Sequence, residues 1–115
     1  MAELAVILAT YNEAENLTQL VEALEDLRED LQLVVVDDAS PDGAGLIAQQ
    51  LSSRFGNIAI VNRPAKLGLG SALRCGLAVA LNAGAQYVIT MDADHSHDPA
   101  DVPRLLAAIK TGSAD

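Results

Sequence analysis

Aromatic side chains are nearly missing from this chain. It has no tryptophan, one phenylalanine and two tyrosines, 3% of its 115 residues. Any core must therefore be aliphatic, drawn from the Leu, Val, Ile and Ala that dominate a half-hydrophobic composition. Cysteine occurs once, at Cys75, which excludes an internal disulfide and fits a reducing compartment. Positive charge is scarce as well: seven Lys and Arg face 16 Asp and Glu, for a formal charge of −9. That balance speaks against nucleic acid as a partner, because backbone binding needs a basic field. An anionic ligand would need local Lys or Arg, backbone N–H groups or a metal ion to overcome the overall charge. Long apolar runs are the last absence. None reaches the roughly 20 residues of a membrane span, and no charged segment leads into a signal-type apolar core. One soluble globular domain over residues 1–115 is the expectation.

What is present alternates regularly. "LAVILAT" (4–10) and "LQLVVVD" (31–37) are short, continuous apolar runs rich in branched residues, which predicts strands buried on both faces. "NIAIVN" (57–62) and "QYVITM" (86–91) read as a third and a fourth strand. Leu17, Leu20, Val21, Leu24 and Leu27 recur at helical spacing after the first strand, with Asn12 as N-cap and Glu15 three residues later. Leu46, Ile47, Leu51 and Phe55 mark a second helix. Leu73, Leu77 and Leu81 line one face of a third, ending near Gly84. Asp98-Pro99 opens a fourth, whose buried face is Val102, Leu105, Leu106 and Ile109. The order β-α-β-α-β-α-β-α predicts an α/β fold, a three-layer parallel sheet with helices on both faces. The last element is a helix where another strand would be welcome, so a truncated, Rossmann-like nucleotide-binding half is expected.

The polar residues fall where such sheets bind ligands, beyond the carboxyl ends of the strands. Strand one delivers "TYNE", strand two "DDAS" and strand four "DAD". Any one cluster reads equally well as helix capping. Three acidic clusters on one edge are costly unless something cationic joins them, which points to a ligand site. Asp92 and Asp94, one residue apart, can turn two hard oxygen donors to one Mg²⁺ or Mn²⁺. His95 and His97 invite zinc, but no Cys/His set at zinc spacing accompanies them. "KLGLGS" (66–71) fails both the dinucleotide and the P-loop patterns. It still opens a helix with free N–H groups, beside Arg63 and Lys66 as local positive charge.

The blocks "ATYNEAEN", "VVVDDASPDG", "NRPAKLGLGSAL" and "MDADHSHDP", in this order and spacing, resemble family 2 glycosyltransferases of GT-A fold. More narrowly they resemble the dolichol-phosphate mannose synthases and related polyprenyl-phosphate glycosyltransferases. The resemblance runs from about residue 4 to the end. It implies a nucleotide-sugar donor, GDP-mannose first, and a polyprenyl or dolichyl phosphate acceptor. Carried over residue by residue, it implies that Thr10, Tyr11 and Glu13 line the nucleoside pocket and that Asp38 contacts base or ribose. Lys66 would lie near the nucleotide. Asp92 and Asp94 would be the catalytic carboxylates, holding Mg²⁺ or Mn²⁺ against the diphosphate, with Ser96 completing the metal shell and Asp92 also touching the donor. Ala9 departs from the proline common there in the family. The family's acceptor-side and membrane-associated parts have no counterpart in these residues, so the stretch alone is expected to bind donor without completing transfer. A cytoplasmic location is implied, with peripheral contact to the cytoplasmic face of a membrane through those parts.

Two other readings compete. A UDP-sugar enzyme of the same fold, with a lipid-phosphate or saccharide acceptor, differs only in specificity. A receiver-type Mg²⁺-binding signalling domain is also a small acidic α/β chain, but its acidic pair follows strand one rather than strand two.

Overall fold

The computed structural model describes residues 4–10, 14–27, 31–37, 43–63, 69–92 and 101–110. Four strands and four helices alternate: β1 (Leu4–Thr10), α1 (Ala14–Asp26), β2 (Leu31–Asp37), α2 (Ala44–Phe55), β3 (Ile58–Asn62), α3 (Leu69–Asn82), β4 (Tyr87–Asp92) and α4 (Val102–Lys110). The first two strands have the bounds their apolar runs predict. The last strand runs one residue further than expected, so Asp92 belongs to the sheet and pairs with Ala9. Asn12 and Asp98-Pro99, the expected helix openings, lie outside the described residues.

All strand pairs are parallel, in the order β3-β2-β1-β4. The receiver alternative fails here, since that fold runs 2-1-3 and sets its third strand on the far side of the first. Alternation along each strand divides the apolar side chains between two layers. Leu4, Val6 and Leu8 of β1, with Leu31, Leu33 and Val35 of β2, bury against Leu17, Leu20, Val21 and Leu24 of α1. Ala48 and Leu51 of α2 and Val102 and Leu106 of α4 join the same layer. Ile7, Val34 and Val36 face the other way, towards α3. Both faces of the two central strands are thus covered, which is why they read as unbroken apolar runs rather than as alternation. Among the described residues, no helix is long and apolar enough to cross a membrane.

The third helix packs on the sheet chiefly through small residues. Of its leucine stripe only Leu73 packs against the core; Leu77 is 41% and Leu81 60% exposed, while Ala72, Gly76 and Ala80 are buried. A Cβ built on Gly76 would lie 2.5 Å from Ile7 Cγ2 and 3.3 Å from Val36 Cγ2. The helix therefore sits closer to the sheet than leucines would permit, and its small-residue stripe makes the contact. Leu105, expected inside, is exposed, and so is Leu46. In α4 the expected Val102 and Leu106 make the contact, and in α2 Leu51 makes it with Ala48.

Candidate functional site

β2 and β3 lie to one side of β1 and β4 to the other, so the strand order reverses at β1. A crevice at such a reversal, beyond the carboxyl ends of the strands, is where open parallel sheets hold ligands. Here the ends form a register row. Thr10 pairs with Asp37, and Asp37 pairs with Asn62. On the β4 side, Asp92 lies opposite Ala9.

Thr10 closes β1 and is 2% exposed. Its Oγ1 is buried and has no hydrogen-bond partner among the described residues. A buried hydroxyl left unpaired costs about 1–3 kcal/mol, so this atom marks a place where a further polar group belongs. Asp92 closes β4, and its backbone is described but its side chain is not. Tyr11, Glu13, Asp38, Lys66, Asp94 and Ser96 lie outside the described residues, so of the expected set the structure brings together the chain positions of Thr10 and Asp92 alone. Among the described residues, no three Asp, Glu, His or Cys side chains gather as a metal set.

Other residues of the rim were not singled out from sequence. Asp37, the first of the two adjacent aspartates, ends β2 and is 5% exposed. The chain then returns as α2, opened by Gly43 in the left-handed region at φ 85°. Gly45, in the first turn of that helix, lies against both neighbouring strand ends. A Cβ there would come within 3.0 Å of Asp37 Oδ2 and 3.1 Å of Asn62 Oδ1. A carboxylate beneath the first turn of a helix meets the positive end of its dipole, which favours the placement.

That packing yields a prediction. Glycine to alanine inside a helix ordinarily gains up to about 1 kcal/mol from propensity. At Gly70, where a Cβ would meet only Arg74 Nη1 at 3.7 Å, Gly70→Ala is expected to stabilise by up to that amount. Gly45→Ala is expected to destabilise by about 1–2 kcal/mol, because crowding two polar oxygens outweighs the propensity gain. Urea unfolding of the two variants side by side measures the sign difference.

Arg63 corrects an expectation. The sequence offered it as positive charge beside an anion-binding helix start, yet it is 7% exposed. Its guanidinium Nη1 donates to Ser71 Oγ at 2.8 Å and lies 3.4 Å from Cys75 Sγ, both on α3. Its backbone N–H donates to the Asp37 carbonyl at 2.8 Å. Arg63 thus ties three elements together under the rim and does not point into solvent. The visible signal was its position directly after a strand and before a loop, where a charged residue is usually read as surface.

The chain matches the family described as Glycosyl transferase family 2 over residues 5–115. It is 40% identical over 105 residues to an undecaprenyl-phosphate mannosyltransferase of Micrococcus luteus, covering 91% of this chain and 43% of that protein. It is 38% identical over 109 residues to a polyprenol monophosphomannose synthase of Mycolicibacterium smegmatis, covering 94% of this chain and 41% of that one. Among solved structures, the mannosyltransferase PcManGT from Pyrobaculum calidifontis in complex with GDP-Man and Mn²⁺ superposes with a TM-score of 0.69 at 27% identity, covering 80% of this chain and 27% of that one. The chain spans less than half the length of these relatives. With the four sequence blocks, the strand order and the matched span in agreement, the chain belongs to glycosyltransferase family 2.

Proposed function

We propose that this chain is the donor-binding part of an inverting glycosyltransferase that moves mannose from GDP-mannose to a polyprenyl or dolichyl phosphate, using Mg²⁺ or Mn²⁺. The observation that carries the reading is the reversal of strand order at β1, which sets the carboxyl ends of β1 and β4 side by side. Relatives named as polyprenyl-phosphate mannosyltransferases, and a similar fold holding GDP-Man and Mn²⁺, support the choice of donor, acceptor and metal.

The donor set fits a hard divalent ion. Asp92, Asp94 and Ser96 offer only oxygen, and the buried Thr10 hydroxyl at the end of β1 has no partner among the described residues. When bound, the metal neutralises charge that builds on the departing diphosphate. Thr10, Tyr11 and Glu13 line the nucleoside, Asp38 takes base or ribose, and Lys66 supplies the positive charge that the acidic chain otherwise lacks. The acceptor phosphate, with a second pKa of about 6, is largely ionised near neutral pH. It can attack the anomeric carbon unaided from the face opposite the diphosphate, so no residue is assigned as general base. On this reading the whole protein meets its lipid acceptor at the cytoplasmic face of a membrane.

A thermal-shift panel of GDP, UDP, GDP-mannose and UDP-glucose, each with Mn²⁺ or with EDTA, tests the proposal. At a hundredfold excess over Kd, GDP-mannose with Mn²⁺ is expected to add about 2.7 kcal/mol, a rise on the order of 10 °C. The rise should disappear with EDTA and in Asp94→Ala. A larger shift with the uridine ligands would assign the UDP-sugar alternative. Equal shifts with all four ligands, independent of metal, would sink the donor-site reading.

A further inference from the structure

We infer that Arg63 and Asp37 are positioning residues for the donor site: together they hold the ends of the two chain segments that carry Asp38 and Lys66. The inference rests on the donor-site reading above and deepens it.

Each residue stands directly before one of those segments. Arg63 precedes residues 64–68, which run from the end of β3 to the start of α3. Its guanidinium bonds Ser71 and reaches Cys75, in the first two turns of α3. The segment therefore leaves from and returns to points joined by a single side chain. Asp37 precedes residues 38–42, which run from the end of β2 to the start of α2. Its carboxylate lies against Gly45 in the first turn of α2, so that segment too begins and ends at one contact. The hydrogen bond from the Arg63 N–H to the Asp37 carbonyl joins the two halves.

The choice of residue types argues for direction rather than stability. Burying a guanidinium costs several kcal/mol of desolvation, and an apolar side chain of similar volume often serves a fold as well or better. What arginine adds is a planar fork with fixed donor directions. Such a group sets the distance and angle between the end of a strand and the start of a helix. Methionine in its place would fill the space without setting either. Donor groups carried on segments with fixed ends need less ordering when a ligand arrives, which is how preorganisation raises affinity.

The test uses the chain with Arg63→Met, Ser71→Ala, the double variant, and Leu24→Ala as a control. Leu24 is fully buried in α1, in the layer opposite α3. Arg63→Met is expected to weaken GDP-mannose binding in Mn²⁺ about tenfold while its urea midpoint falls less than that of Leu24→Ala. Leu24→Ala, measured where it is still folded, should bind like the unaltered chain. The double variant should bind no more weakly than Arg63→Met, because Arg63 acts through Ser71. Unchanged affinity in Arg63→Met would overturn the inference, as would an equal loss in Leu24→Ala. A chain that binds no GDP-mannose at all would count against the donor site and leave the clasp to a second readout, native-state trypsin cleavage after Lys66. That cleavage should be about tenfold faster in Arg63→Met than in the unaltered chain. The Arg63-Pro64 bond itself is a poor trypsin site, so the substitution removes no competing cut. Equal cleavage rates would overturn the clasp whatever the ligand result.

Discussion

Leu8→Ala is expected to lower the stability of this fold by about 2–5 kcal/mol, the range for truncating a fully buried leucine. Leu8 is in β1, which hydrogen-bonds to a strand on either side, and it pairs with Val35 and with Met91. All three side chains lie in the layer packed by α1, α2 and α4. The strands on both sides are held by backbone hydrogen bonds, so they cannot close over the space a leucine leaves. The cost should therefore fall in the upper part of the range. Against a total of about 5–15 kcal/mol for a domain of ordinary stability, such a loss would populate the unfolded state visibly at moderate urea. The midpoint of urea unfolding, at unchanged slope, measures it. A loss below about 1 kcal/mol would mean that this position is not packed as described.

The second large effect comes from adding atoms. Gly76→Val is expected to destabilise by about 3 kcal/mol or more, at the top of the range for overpacking. The first added carbon would already meet Ile7 Cγ2 at 2.5 Å and Val36 Cγ2 at 3.3 Å. Ile7 is fully buried and branched at Cβ, so its χ1 is restricted and the packing around it leaves its methyl little room to swing. Relief has to come from lifting α3 off the sheet, which also uncovers Ala72 and Ala80. A compensating change tests the cause. Ile7→Ala should restore part of the loss in the Gly76→Val background, although alone it is itself destabilising. If the two losses simply add, the contact between Gly76 and Ile7 does not set the height of the helix.

How much of this was legible depended on whether a neighbour had to be known. The two central strands could be bounded to the residue because both of their faces are buried. An unbroken run of Leu, Val, Ile and Ala is what a strand covered on both faces requires. The packing face of α3 was not legible, for the opposite reason. A stripe of Leu73, Leu77 and Leu81 and a stripe of Ala72, Gly76 and Ala80 occupy the same helix, and hydrophobicity favours the first. The second wins because the sheet presents Ile7 and Val36 at close range, a fact held in strands far along the chain. At the rim, the four sequence blocks were enough to name the family. They did not show that Asp37 and Arg63 are buried. Which of two adjacent aspartates goes inside turns on a single residue of strand length. A charged residue between a strand and a loop is buried only when hydroxyl and thiol partners such as Ser71 and Cys75 wait on the next helix.

The pairing of β1 with β4 has a consequence for how the molecule is assembled. β1 meets β2 across one helix and β2 meets β3 across another, but β1 meets β4 only after three helices and two strands have been laid down between them. Bringing two points together costs entropy that grows with the intervening length, by about 0.6 kcal/mol for each doubling in a flexible chain. The join with the highest closure cost in this sheet is therefore the one that creates the reversal of strand order at β1. Residues 4–37 can make their strand pair from local chain alone, whereas Thr10 and Asp92 stand side by side only when the two distant parts of the sequence have met; that edge is the last to be completed. Its formation reports on completion of the sheet, not on the folding of any one element.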